Sequence, residues 1–275
     1  MFSVEPPADQ SLVGLPQVVA TPHIAASTVE AQELVGIETA MGVRDFLRDG
    51  AIRNAVNFPA LPAEDQIRLR PYMTLADRLG ALLVQIAQGR THGVGIRYYG
   101  PAVNAGSDLL ASAVIAGVLR PILSGSVTVI NARAVATQRG IEIVESRSSR
   151  PRDFANLLSV KIQTSDGEWW VEGTVFEPGS ARLTSVDGVE IEVPLEGALI
   201  LIKNEDQPGV IGEVGTILGK AGVNIANFAL GRGAGGAVGA VNIDVPPSED
   251  GKIDRAIDAI RAISAVKSAC LVKFY

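Results

Sequence analysis

The constraint that most limits this chain is an order of elements. Between Gly197 and Tyr275, six short periodic segments follow one another as strand, helix, strand, strand, helix, strand. The pattern predicts strands over Ala198 to Lys203, Asn224 to Leu230, Gly236 to Val245 and Lys267 to Phe274, and helices over Val210 to Ala221 and Lys252 to Ile263. Period-2 alternation marks the strands and 3.6-residue periodicity the helices. This βαββαβ order is that of a split-βαβ, ferredoxin-like unit, a four-stranded sheet with helices on one side. Such a sheet leaves open edges, and pairing with a second copy closes one of them. Homo-oligomerisation is the default expectation.

That order also disposes of a nucleotide motif. The run "GRGAGG" places Gly231, Gly233 and Gly236 in a G-x-G-x-x-G pattern. A dinucleotide fingerprint needs strand, glycine turn and then helix, so that pyrophosphate sits on a helix N-terminus. Here the run leads into the alternating strand "AVGAVNIDV". The expectation is a hairpin.

From Ile67 to about Pro194 the reading alternates between element types, with a helix over Tyr72 to Gln88, a strand over Val94 to Tyr99, a helix over Asn104 to Leu119, and several short strands. Ser165-Asp166-Gly167 and Asp187-Gly188 supply turn chemistry between alternating segments, a hairpin signal at each. Trp169 and Trp170 point to opposite faces of one strand. The fold class is α+β.

The first segment is different in kind. Ser27 with Glu30 reads as a capping box opening a helix that stops at Asp49-Gly50, about 33 Å long at 1.5 Å per residue. Its apolar positions, Leu34, Val35, Ile37, Met41, Phe46 and Leu47, have little else in the leading segment to pack on. Two prolines and a polar patch then mark a linker near Phe58 to Glu64. The division expected is 1–58, 62–194 and 197–275.

Composition narrows the function classes. The chain has 275 residues, 47% of them hydrophobic, with a formal net charge of -6. Without clustered Lys and Arg, no nucleic-acid partner is expected. Cys270 is the one cysteine, which excludes internal disulfides and cysteine-held metal clusters and fits a reducing cytoplasm. It is expected in the core. No stretch reaches the roughly 18 apolar residues of a membrane span, so no membrane association is expected. The opening "MFSVEPP" reads as the middle of a fold rather than its start.

Three stretches carry a family resemblance. "VEP" at Val4 to Pro6, "VVATPH" at Val18 to His23 and "AASTVEAQ" at Ala25 to Gln32 resemble the C-terminal signature of the D-isomer-specific 2-hydroxyacid dehydrogenases. The resemblance implies that His23 transfers the substrate alcohol proton and that Glu5 holds the imidazole. A carboxylate there stabilises imidazolium and suits acid and base work near neutrality. The family usually has glycine where this chain has Ala25, whose methyl narrows the space for a nicotinamide.

"NEDQPGVIGEVGTILGKAGVNIANF", Asn204 to Phe228, resembles the amino-acid-binding ACT domain. By that resemblance Asn204, Asp206 and Asn224 line a site between two neighbouring ACT domains. Backbone donors after Pro208-Gly209 suit a ligand carboxylate, Asp206 suits an ammonium group, and the Asn224 amide can donate and accept. L-serine or a similar amino acid fits that set.

In this order the pieces resemble the C-terminal part of the long-form D-3-phosphoglycerate dehydrogenases: the end of the substrate domain, an intervening allosteric domain and an ACT domain. That implies NAD-dependent oxidation of 3-phosphoglycerate in L-serine biosynthesis for the full-length family, in the cytoplasm, as a homodimer or homotetramer. No counterpart of the nucleotide-binding domain or of the substrate-gripping arginine is found in the sequence, so no NAD is expected on this chain and none of the redox activity. Some members bind anions around the late hairpin of the intervening domain. Arg182 persists there, but "VDGVEIEV" lacks the other basic residues. The alternative is a stand-alone amino-acid-binding regulatory module. A third reading, a serine dehydratase subunit sharing the last two domains, is opposed by "TPHIAAST" and the lack of cluster-binding cysteines.

Overall fold

A computed structural model of the chain describes residues 4–49, 52, 54–56, 63–177, 179–244 and 250–274. Contacts divide it into two compact units, Met1–Ala63 and Glu64–Tyr275. Most of the expected linker near Phe58 to Glu64 lies outside the described residues.

In the first unit, turns around Gln10 to Val18 lead to the helix α1, Val29–Asp49. Its cap is Thr28 rather than the expected Ser27: Thr28 Oγ1 accepts from the Ala31 N–H at 3.2 Å. Ser27 is held in the preceding turn by its own N–H to Ile24 O. Glu30 still sits in the first turn, where the helix dipole favours a carboxylate. Leu34, Val35, Ile37, Met41, Phe46 and Leu47 are all exposed, as their surplus over any packing surface in the leading segment implied.

The second unit is built on two sheets. The helix α2, Ala63–Ile86, begins nine residues before the expected Tyr72 and runs through Pro71. Proline inside a helix costs about 3 kcal/mol. Burial of the stripe Leu69, Leu75, Ala76, Leu79, Leu82 and Leu83 offsets it. β1, Thr91–Tyr99, follows. The expected single helix over Asn104 to Leu119 is two, α3, Pro101–Ala105, and α4, Ser107–Leu119, because Gly106 at φ -101°, ψ 14° leaves helical geometry. α4 lies backbone to backbone with α2: a Cβ on Gly80 would stand 2.2 Å from Val114 O, and one on Gly117 2.0 Å from Asp77 O. Only glycine permits that approach.

α5, Ala132–Gln138, leads to β2, Glu142–Ser148, which pairs in parallel with β1. β3, Leu157–Thr164, β4, Gly167–Phe176, β5, Ser180–Val186, and β6, Val189–Pro194, complete a six-stranded sheet of order β2-β1-β3-β4-β5-β6. Both expected hairpins are present. Asp187 and Gly188 have φ of 46° and 82°, the backbone of a type I′ turn. Leu158, Val160 and Ile162 alternate inward along β3. Trp169 packs on the core, and Trp170 lines a cavity described below.

β7, Ala198–Asn204, α6, Val210–Lys220, β8, Asn224–Gly233, β9, Gly236–Asp244, α7, Asp250–Arg261, and β10, Val266–Lys273, form the second sheet in the order β10-β7-β9-β8. This is the expected βαββαβ unit. One face carries Ile200, Ile202, Val241 and Ile243 against Val214, Leu218, Ile257 and Ile260 of the two helices. The other face turns Leu199, Leu201, Val238 and Ala240 into the core of the six-stranded sheet. Cys270 is half-buried there rather than fully enclosed.

Candidate functional site

β7 ends at Asn204, and the chain turns through Glu205 to Gly209 before α6. Asn204 is 5% exposed and its amide donates to Glu205 O at 2.7 Å, while the Glu205 N–H donates to Ala265 O at 2.8 Å. These bonds pin the turn. α6 opens at Gly209 with no side-chain cap, so its first-turn N–H groups remain available to an acceptor. Asp206, half-exposed beside them, has its Oδ1 3.3 Å from Arg232 Nε.

Asn224 lies elsewhere. The register pairs Asn204 with Ala237 at one end of β9 and Asn224 with Asp244 at the other. The seven steps along β9 from Ala237 to Asp244, at roughly 3.3 Å each, separate the two ends. Asn224 Nδ2 donates to Asp244 Oδ2 at 2.6 Å on an exposed edge. Within one chain, therefore, Asn204 and Asp206 come together and Asn224 does not join them. The sequence reading missed Arg232 and Asp244, the partners of Asp206 and Asn224. Counting outward from the Ala234-Gly235 turn would have placed Asp244 opposite Asn224 to within one residue, but not Arg232 beside Asp206.

In the first unit, His23 Nδ1 meets Glu5 Oε2, with the His23 side chain 60% exposed. An ionised carboxylate only accepts, so Nδ1 is the donor in this pairing. His23 has φ of 55°. Among the described residues, no hydrogen bond reaches its Nε2.

The glycine run behaves as a packing device. A Cβ on Gly231 would stand 2.1 Å from Glu190 O, and one on Gly233 2.9 Å from Val189 Cγ2. Those glycines admit β6, and the run is a β8–β9 hairpin with no helix after it. It does not fit a dinucleotide pyrophosphate.

At the late hairpin Arg182 is flanked by a carboxylate and a ring, and among the described residues its Nε is buried without an acceptor. Arg182 Nη1 faces Glu192 at 3.7 Å, and its guanidinium stacks 5.6 Å from the Phe176 ring centroid. The neighbouring cavity, about 520 Å³, is lined by Glu172, Glu190, Glu192 and Asp153 with Arg152. Glu172 is buried and pairs with Arg152. Among the described residues no group of acidic, His and Cys side chains is arranged to hold a metal, and no helix is long and apolar enough to cross a membrane.

Comparison with known proteins gives two domain matches. Residues 68–187 match the D-3-phosphoglycerate dehydrogenase intervening domain, and residues 198–264 match the ACT domain. The chain is 33% identical over 274 residues to a D-3-phosphoglycerate dehydrogenase of Methanocaldococcus jannaschii, covering 99% of this chain and 51% of that one. It is 34% identical over 276 residues to that of Synechocystis, covering 99% and 49%. It is 38% identical over 270 residues to D-3-phosphoglycerate dehydrogenase 3, chloroplastic, of Arabidopsis thaliana, covering 91% and 46%. The chain thus spans about half the length of the curated relatives it matches, their C-terminal portion.

Proposed function

We propose that this chain, which belongs to the D-3-phosphoglycerate dehydrogenase family through its intervening and ACT domains, is the regulatory and subunit-joining part of such an enzyme. The whole protein would oxidise 3-phosphoglycerate with NAD, in the cytoplasm, at the first step of L-serine synthesis. The segments 1–58, 62–194 and 197–275 would be the end of the substrate domain, the intervening domain and the ACT domain. His23 would pass the alcohol proton through Nε2 while Glu5 fixes the ring.

The observation that carries the regulatory reading is the placement of Asn204 and Asp206 at the opposite end of β9 from Asn224. β8 is an edge strand of its sheet. Antiparallel pairing of β8 with the β8 of a second copy would bring one Asn224 beside the other copy's Asp206. L-serine or a similar amino acid would lie between the two, its carboxylate at the first turn of α6 and its ammonium on Asp206. The complete site would then exist only in a homodimer or in a homotetramer built from one.

The test is calorimetric titration of L-serine into the 275-residue chain. Saturable binding is expected, weakened at least tenfold by Asp206→Ala or by Asn224→Ala, which is the loss of one charge-assisted or buried contact. Binding that neither substitution changes would refute the reading. Incubation with NAD and 3-phosphoglycerate is expected to yield no NADH. If serine bound to the chain without any catalytic partner in the complete protein, the stand-alone sensor would be the better description.

A further inference from the structure

The C-terminal ends of the parallel pair β1 and β2, Tyr99 and Ser148, open onto a second cavity of about 700 Å³. Crevices outside the carboxyl ends of parallel strands are where open α/β sheets bind ligands. This one is lined by Arg147, Arg150 and Arg152, by Ser148 and Ser149, and by Asn104, over a floor that includes Tyr99 and Phe154. No carboxylate is among the lining residues, on a chain whose formal net charge is -6.

The three arginines are not equivalent. Arg152 is neutralised by the buried Glu172 and lies over the Tyr99 ring, 5.1 Å from its centroid. Among the described residues Arg147 has a neutral partner alone, donating to Ser107 Oγ at 2.8 Å. For Arg150 the described contact is of its backbone N–H with Ser148 Oγ at 3.3 Å, which leaves the guanidinium without an anion. Two uncompensated guanidiniums, each a planar fork of donors, match the oxygen spacing of a phosphoryl group. The Asn104 Oδ1 is buried and has no donor, so acceptor capacity for a ligand O–H stands next to them. Tyr99 and Phe154 offer an apolar wall to a short carbon skeleton.

We propose that this cavity binds a phosphoryl group through Arg147 and Arg150, as a small hydroxylated phosphate monoester or as free phosphate. It adjoins the acidic cavity beside the Arg182 hairpin through the shared residues Arg152 and Phe154, and differs from it in having no carboxylate among its lining residues.

The experiment is calorimetric titration of the full chain with inorganic phosphate and, separately, with glycerol 3-phosphate, at low ionic strength. Saturable binding is expected, weakened about tenfold or more by Arg150→Ala and further by Arg147→Ala/Arg150→Ala. Arg150 is exposed, so its variant keeps the fold and an unchanged melting temperature verifies that. Tighter binding of glycerol 3-phosphate assigns the site to an ester, and equal or tighter binding of inorganic phosphate assigns it to the free ion. Absence of saturation with both ligands, or affinities unchanged in Arg150→Ala and in the double variant, would overturn the proposal.

Discussion

Gln85 and Lys273 exchange two hydrogen bonds. Gln85 Oε1 accepts from the Lys273 N–H at 3.0 Å, and Gln85 Nε2 donates to Lys273 O at 3.1 Å. The amide at the end of α2 thereby acts as one more rung on the last residue of β10, fastening the four-stranded sheet to the helix that covers the six-stranded one. Arg78 Nη1 to Leu195 O and Asn242 Nδ2 to Pro194 O fasten the connection between the sheets in the same manner. Gln85→Ala removes both bonds and is expected to cost about 1–3 kcal/mol. Thermal unfolding checks it, since a fall of about 2–4 °C per kcal/mol is expected for a unit this size. A midpoint equal to that of the parent would show that the two sheets hold together without the clamp.

Gly231→Ala separates the packing role of the glycine run from a nucleotide role. Its methyl would meet Glu190 O at 2.1 Å, and backbone on both sides resists the shift. A loss of about 1–3 kcal/mol is expected, the usual cost of overpacking. Denaturant unfolding measures it, and a variant as stable as the parent contradicts the close packing of β6 on β8.

The βαββαβ half was legible because each of its elements announces its own period, and its order alone decides the sheet. The leading helix was legible for the same reason, down to the exposure of Leu34 and Leu47. What could not be read locally was the meeting of distant segments. Arg147 and Arg150 come beside Tyr99 only because β1 and β2 pair in parallel across an intervening stretch of three helices. The extension of α2 through Pro71 was hidden too, since proline chemistry argues for a stop and only the burial of Leu69 argues against it. For the amino-acid site, the residue types were visible and their separation was not, because that depends on hairpin register.

Cys270 should be a slow nucleophile. Burial raises its thiol pKa, with Arg261 opposing in part, and the thiol donates to Gln85 O at 3.1 Å. The thiolate is the reactive form. Alkylation by iodoacetamide near pH 8 is expected to run well below the rate of a cysteine peptide, and to accelerate on addition of urea. A peptide-like rate in the native protein would show that Cys270 is open to solvent.

Asp77 predicts a pH dependence of stability. Burial raises its pKa above the ordinary 3.8, although Arg120 and Arg78 act against it, and Oδ1 accepts from Arg120 Nη1 at 2.7 Å. The folded state thus holds the Asp77 proton more tightly than the unfolded state. The ionised carboxylate detracts from stability at neutral pH, and that penalty is relieved as pH falls through the raised pKa toward 3.8. Relative to Asp77→Asn, the parent should gain stability between about pH 6 and pH 4. Paired denaturant titrations at those two values read the difference, and a parent that loses ground to the variant over that range reverses the sign.

Mixing variants tests the shared amino-acid site more sharply than either variant alone. If each site takes Asp206 from one copy and Asn224 from the other, an Asp206→Ala chain paired with an Asn224→Ala chain rebuilds one intact site and doubles the damage in the other. Random re-pairing of equal amounts makes half of the dimers mixed, so about a quarter of the parental L-serine sites should return, provided that subunits exchange and that charge-assisted contacts dominate the binding. Unmixed variants, at least tenfold weaker, contribute little at a ligand concentration near the parental Kd. Exchange is verified by mass-tagging one variant, and an exchanged mixture that recovers no binding would place Asp206 and Asn224 in separate roles.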